Sequence, residues 1–308
     1  MPVVADPRLP AVWHFDAIGA PWAISTASPL PAPVAQRVSD CIAAFDRTWS
    51  RFRDDSLVAR IAREPGRYEM PQDATPLFDL YRRLDEVTGG AVSPLVGRRL
   101  EHLGYDRDYS FRLAPGVSAS DPAAVPRFAE VAHWDGRVLT TTAPVLIDIG
   151  AAGKGCLVDL VCAILDEASL DAAGVTDYVV DASGDLRHHG TVPARVALEH
   201  PFDPTLAIGV IELSNAALCA SAPNRRTWGE GLHHIIDATT GLPTSSVVAS
   251  WALAPTGLAA DGLATALFFR SPDALAEAFA DDFTLEAVRV TADGIASTTP
   301  TFSGDLFS

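Results

Sequence analysis

Between Val34 and Trp49 the apolar positions Val34, Val38, Cys41, Ile42, Phe45 and Trp49 recur at helical spacing, which predicts a helix with one buried face. Asp54-Asp55-Ser56 is a capping sequence for a short helix carrying Leu57, Val58 and Ile61. Thr75-Pro76 opens a further helix with Leu77, Leu80, Tyr81, Leu84 and Val87 inward, and Gly89-Gly90 closes it. Strand patterning marks Val12–Thr26, broken at Gly19 and Pro21. It recurs at Tyr178–Asp181, Ala194–Glu199, Ala207–Leu213, Ala216–Ala220, Val247–Ala254 and Ala287–Thr291. Helices are expected again at Gly257–Phe269 and Ala274–Ala280, and irregular, turn-rich structure over 104–136. Helices and strands mix without a βαβ beat, so the expected class is α+β, with mixed or antiparallel sheets and packed helices in one two-lobed domain.

At 308 residues the chain can bury a large core. Its formal charge of −16 argues against nucleic acid or an anionic membrane as the main partner, and any phosphorylated ligand would need local cationic compensation. Cys41, Cys156, Cys162 and Cys219 form no CxxC pair, so buried thiols are expected rather than a zinc knuckle or a disulfide framework. The N-terminal residues lack a basic and an apolar signal region, and no apolar run is long enough to span a bilayer, so a cytoplasmic location is expected. The expected organisation is a tail over 1–11, one domain over 12–296 and a polar tail over 297–308.

Four segments could carry chemistry. Pro144-Val145-Leu146-Ile147-Asp148-Ile149 reads as a buried strand, followed by the small-residue loop Gly150-Ala151-Ala152-Gly153-Lys154-Gly155 and an amphipathic helix. Small residues admit a ligand close to the backbone, and a helix start offers unpaired N–H groups to an anion. The competing reading is a plain strand-to-helix turn, and the Ser or Thr of a Walker A loop is missing. Asp261 and Thr265 stand one turn apart on an otherwise small, apolar helix face. A carboxylate there calls for a cation, and carboxylate, hydroxyl and carbonyl oxygens suit magnesium. A helix-start aspartate beside the macrodipole is the alternative. In His233-His234-Ile235-Ile236-Asp237 the adjacent histidines point to opposite faces of a strand, so one can pack while the other meets a ligand. Finally, Asp181-Ala182-Ser183-Gly184-Asp185 ends a strand in a tight acidic turn, and Asn224-Arg225-Arg226 makes a basic loop after Cys219-Ala220-Ser221.

In this order and spacing the segments resemble the ApbE family, the FAD:protein FMN transferases. Asp148 to Asp159 is similar to the family's D-L-G-G-I-A-K-G-Y-A-V-D loop, Asp181 to Leu186 to N-x-G-G-D-I, and Ala217 to Ser221 to A-x-A-T-S. His233 to Pro243 resembles H-H-I-I-D-P-x-T-G-x-P, Ala260 to Phe268 resembles A-D-A-L-S-T-A-L-F, and Ser50-Arg51-Phe52 begins an S-x-F pattern. The resemblance runs from about residue 13 to about residue 294. It implies a T-fold-related domain that moves FMN from FAD to a Thr or Ser of a client protein, releases AMP and needs Mg2+. It also implies metal contacts at Asp261, Thr265 and the carbonyl near Ala151, and FAD contacts at Ile18, Ala91, Val92, Ser93, Asp148, Lys154 and Ile235. His234 is the expected proton acceptor, acting with Asp261 as the catalytic pair. Ile18, Ala20, Val92 and Ser93 stand where the family has Met, Thr, Phe and Asp, and Ala264 replaces a polar residue, so the metal half is better kept than the flavin half. Hydrolysis of FAD to FMN and AMP, or flavin carriage without transfer, stays open as an alternative.

Overall fold

The computed structural model describes residues 6–170 and 175–307. Eight strands form one antiparallel sheet whose spatial order is their chain order. They are β1 (Ala11–Ala17), β2 (Ala20–Thr26), β3 (Tyr178–Asp181), β4 (Asp185–His189), β5 (Ala217–Ser221), β6 (Val247–Ala254), β7 (Glu286–Thr291) and β8 (Ala296–Thr298). Function enters through what is inserted between neighbouring strands. A helical lobe fills the chain between β2 and β3, a hairpin lies between β4 and β5, the His233-His234 loop between β5 and β6, and the Asp261 helix between β6 and β7.

The main helices are α1 (Ala32–Trp49), α2 (Ala74–Thr88), α3 (Gly153–Leu170) and α4 (Gly257–Ala266). Val34, Val38, Phe45 and Trp49 of α1 are buried, as their spacing predicts. Gly89, at φ 66°, ends α2 in the left-handed conformation that glycine adopts without a Cβ penalty. All four helices pack on one sheet face around Trp22, Ile24, Val180, Leu157, Leu165 and Leu263. The opposite face is covered by the hairpin of Ala194–His200 and Asp203–Leu213, which buries Leu198, Ile211 and Leu213 against Leu186, Leu218, Trp251 and Val288.

The expected α+β class and single domain are what the structure has. The expected termini differ in part. Residues 1–5 of the N-terminal tail lie outside the described residues, whereas Leu9 is buried with Val179 and Ala194. The C-terminal stretch expected as a polar tail adds β8 to the main sheet, and Asp305–Leu306 pairs with the covering hairpin. Backbone pairing holds these polar residues where side-chain hydropathy gives no sign of it. The Val12–Thr26 strand breaks only at Ile18-Gly19, because Pro21 sits inside β2 opposite Asp16.

Candidate functional site

Two helices meet here at their N-terminal ends and each carries the carboxylate that satisfies the other. Asp261 of α4 accepts a hydrogen bond from the Gly155 N–H at 2.9 Å, and Asp159 of α3 accepts from the N–H groups of Gly257 and Leu258, both at 2.8 Å. Orphan donors and the positive dipole end are answered on both sides. The approach requires glycine, since a Cβ on Gly155 would lie 2.1 Å from the Gly257 carbonyl oxygen.

The loop before α3 is fixed in the same way. The Asp148 N–H donates to the Pro94 carbonyl at 2.8 Å, and one Asp148 carboxylate oxygen accepts from the Gly150 N–H at 2.7 Å. Its other oxygen receives Arg51 Nε at 2.5 Å. The loop then turns the Ala151 carbonyl toward Thr265, whose hydroxyl donates to it at 3.2 Å. Ser221 Oγ stands 3.4 Å from the same hydroxyl. Ala151, more than a hundred residues away in the chain, thus brings its carbonyl to the helix that carries the Asp261 carboxylate and, one turn on, the Thr265 hydroxyl. Among the described residues no group of three or more His, Cys, Asp or Glu could hold a metal, so a metal here would depend on this mixed oxygen set.

The buried charge is unbalanced. Asp261 is 4% exposed and Asp185 fully buried, with one ammonium, Lys154, 3.0 Å from Asp185 Oδ2. Burial, and then the neighbouring Asp185, push the Asp261 carboxyl well above the usual carboxylate range against the pull of Lys154. Burial likewise raises Asp185, with Lys154 opposing. Burial alone would lower Lys154, but Asp185 and Asp261 outweigh it and the ammonium is held above its ordinary value. With both carboxyls ionised, one ammonium would leave an excess negative charge, which a hard cation on the Ala151–Asp261–Thr265 oxygens would cancel.

Arg51, bonded to Asp148, also donates to the Tyr105 carbonyl at 2.8 Å and so ties the loop to a cavity of about 250 Å³ lined by Gly19, Tyr105, Tyr109, Phe111, Asn224, Arg226 and Thr227. Phe52 stacks on Tyr109 at 5.0 Å and Trp228 on Tyr105 at 5.5 Å, while the Arg51 guanidinium lies over Phe52 and Tyr105. Ile18 forms the β1–β2 turn with Gly19 at φ 46°, a left-handed conformation unfavourable for a β-branched residue. A second cleft, of about 540 Å³, is open and lined by Ser93, Arg127, Asp85, Ala238 and Thr239 among others. Of the neighbouring positions, Val92 is buried in the core, and the Ala91 carbonyl already accepts the Ala238 N–H at 3.0 Å. Ile235 is buried with Val247 and Phe268, its N–H donating to His233 Nδ1 and its carbonyl accepting from Thr244.

The histidine pair divides, although only His233 lies in a strand (Leu232–His233) and His234 stands in the bend that follows. His233 packs, with Nε2 2.7 Å from the Thr244 carbonyl, while His234 contacts the Arg226 backbone and leaves Nδ1 buried without a hydrogen bond among the described residues. Burial, then Arg226, lower its imidazole to about 3. Between that value and the ordinary 6.5 the unfolded chain binds the extra proton, so stability must fall as pH drops through this window. Urea midpoints near pH 7 and near pH 4.5 should therefore fall further in the wild type than in His234→Gln. An equal fall in both would remove His234 from the account.

The aromatic wall is what sequence reasoning missed. Tyr105, Tyr109 and Phe111 sit in the stretch read as irregular, and their close spacing within a Gly- and Asp-rich loop was the available signal. Arg51, the Tyr81 hydroxyl beside the Ala151 backbone, and Ser221 also belong to the site.

Fold and site together define a helix-covered antiparallel α+β protein with an oxygen-donor cluster tied through Arg51 to an aromatic cavity. The chain belongs to the ApbE family, which it matches over residues 18–288. It is 29% identical over 260 residues to the FAD:protein FMN transferase of Rhodobacter capsulatus, covering 82% of this chain and 49% of that protein, about half its length. With the FAD:protein FMN transferase of Klebsiella pneumoniae it shares 26% identity over 75% of this chain and 69% of that one. The fold is that of the ApbE protein of Thermotoga maritima, with a TM-score of 0.77 at 23% identity over 94% of this chain and 97% of that one. A His-to-Gly variant of flavin transferase ApbE from Vibrio cholerae superposes equally well, with a TM-score of 0.77 at 21% identity over 95% and 98% of the two chains.

Proposed function

We propose that this protein transfers FMN from FAD to a threonine or serine hydroxyl of a client protein and releases AMP, with Mg2+ bound. The observation that carries this reading is the approach of the Ala151 carbonyl to the helix bearing the Asp261 carboxylate and the Thr265 hydroxyl, on a loop that Arg51 ties to an aromatic cavity. Those oxygens would hold the Mg2+, which when bound supplies positive charge to a diphosphate. In the reaction the acceptor oxygen bonds to the flavin-side phosphorus. The bond from that phosphorus to the bridging oxygen breaks, and AMP leaves with that oxygen.

This chain's own residues act around the reacting atoms. The aromatic cavity offers Tyr105, Tyr109 and Phe111 as stacking surface for the isoalloxazine ring. Asp148, locked by Arg51 and Gly150, shapes the loop that presents Ala151. His234 is neutral near pH 7, and its Nδ1, buried without a hydrogen-bond partner among the described residues, is assigned the hydroxyl proton, which so weak a base takes only as the acceptor oxygen bonds to phosphorus. Ile18 contributes through the hairpin turn and Ser93 through the open cleft, whereas Ala91, Val92 and Ile235 serve the walls by packing.

Purified protein with FAD, Mg2+ and a polypeptide carrying a family-type acceptor sequence should form AMP and a covalent FMN adduct, read by chromatography and mass spectrometry. AMP and free FMN without adduct would make the protein a hydrolase. Bound FAD with neither product would make it a carrier.

A further inference from the structure

A lysine beside a diphosphate site is ordinarily read as a phosphate partner, but the surroundings of Lys154 are those of a different role. Its ammonium faces three oxygens of a single turn: the Ala182 carbonyl at 2.7 Å, the Ser183 carbonyl at 3.3 Å and Asp185 Oδ2 at 3.0 Å. Asp185 is fully buried, and its oxygens make no well-aligned hydrogen bond among the described residues, the Cys219 thiol and the Ala220 N–H being only near. Moving Lys154 toward a ligand would strand a buried carboxylate without its counter-charge, which is strongly unfavourable.

The clamped turn is itself strained and connected. Ser183 holds φ 54° and Gly184 φ 101°, a left-handed pair that needs an outside restraint at the serine. Ser183 Oγ donates to the Pro21 carbonyl at 2.8 Å, two residues from Gly19 in the wall of the aromatic cavity. The chain of contacts therefore runs from α3 through Lys154 to the β3–β4 turn, and from there to the β1–β2 hairpin.

The geometry points to Lys154 and Asp185 as a positioning pair that fixes the β3–β4 turn, and through Ser183 and Pro21 the hairpin wall of the flavin cavity, rather than as a contact to the diphosphate. This rests on the reading that the aromatic cavity takes the isoalloxazine ring.

The test compares riboflavin, which has no phosphate, with FAD, by flavin fluorescence on the full chain. The Lys154→Met/Asp185→Asn double variant removes both charges together, so Asp185 is not left as a carboxylate stripped of its ammonium. It should bind riboflavin about tenfold more weakly and FAD weaker by the same factor, leaving the ratio of the two affinities unchanged. Ser183→Ala, which leaves the charge pair untouched, should shift both affinities in the same direction by about threefold. In Ser183→Ala, which leaves Lys154, Asp185 and Asp261 in place, Mg2+ binding by calorimetry should stay within about threefold of wild type, which a general loosening of the fold would not allow. A loss of FAD affinity at least about tenfold greater than that of riboflavin would make Lys154 a diphosphate contact and overturn the proposal. Unchanged riboflavin affinity in both variants would overturn it as well. If the wild type binds neither flavin, the functional reading itself fails, and this inference fails with it.

Discussion

Asparagine in place of Asp261 is expected to cut Mg2+-supported AMP release from FAD by about 10²–10³-fold without making the metal-free protein less stable. Function and stability separate at this residue because its carboxylate is unfavourable in the empty fold. Burial and Asp185 hold its pKa well above the ordinary 3.8, so the folded state binds the proton more tightly than the unfolded chain. Stability from that source is present at low pH and lost as pH rises through the raised value. The neutral amide removes that cost, and its carbonyl oxygen can still accept from the Gly155 N–H. Melting curves with and without Mg2+ should show a metal-dependent rise in the wild type and none in Asp261→Asn. Undiminished AMP formation by the variant would eliminate the proposed metal set.

Gly155→Ala should be among the most destabilising single-atom additions in the molecule. The new Cβ would meet the Gly257 carbonyl oxygen at 2.1 Å, the Gly257 carbonyl carbon at 2.5 Å and Asp261 Cβ at 2.7 Å. Two of these three are backbone atoms, so no rotamer change relieves the clash and α3 must move away from α4. A cost of about 3 kcal/mol is expected, at the upper end for overpacking, because the exchanged hydrogen bonds of Asp159 and Asp261 stretch together. Urea unfolding should show the lowered midpoint, and activity should fall even where the protein remains folded. Gly66→Ala is the control, because its Cβ would meet nothing nearer than 3.8 Å. Equal stability of the two variants would mean that the helices yield freely at their crossing.

The helices and most strands were legible because their signal is local. Val34 to Trp49 repeats with the helical period, and Val247–Ala254 is a continuous apolar run that became a buried strand. Asp148, Lys154, His234, Asp261 and Thr265 likewise stand in patterns that can be picked out along the chain. Less of the cavity could be read. Val92 and Ile235 occupy motif positions yet point into the core, while Tyr109 and Phe111, outside every motif, wall the cavity.

What the linear order of residues determined, then, was the set of elements, the family and the residues able to bear charge or donate oxygen, because periodicity and motif spacing act over a few turns of chain. Tertiary structure alone decided that Lys154 faces Asp185 and that the Asp261 carboxylate accepts from the Gly155 N–H. It alone decided that the helices cross at Gly155 and Gly257. Those contacts join segments about 30 to 110 residues apart. They depend on sheet pairing and helix packing, whose energies are summed over the whole core and leave no mark on any short stretch of sequence.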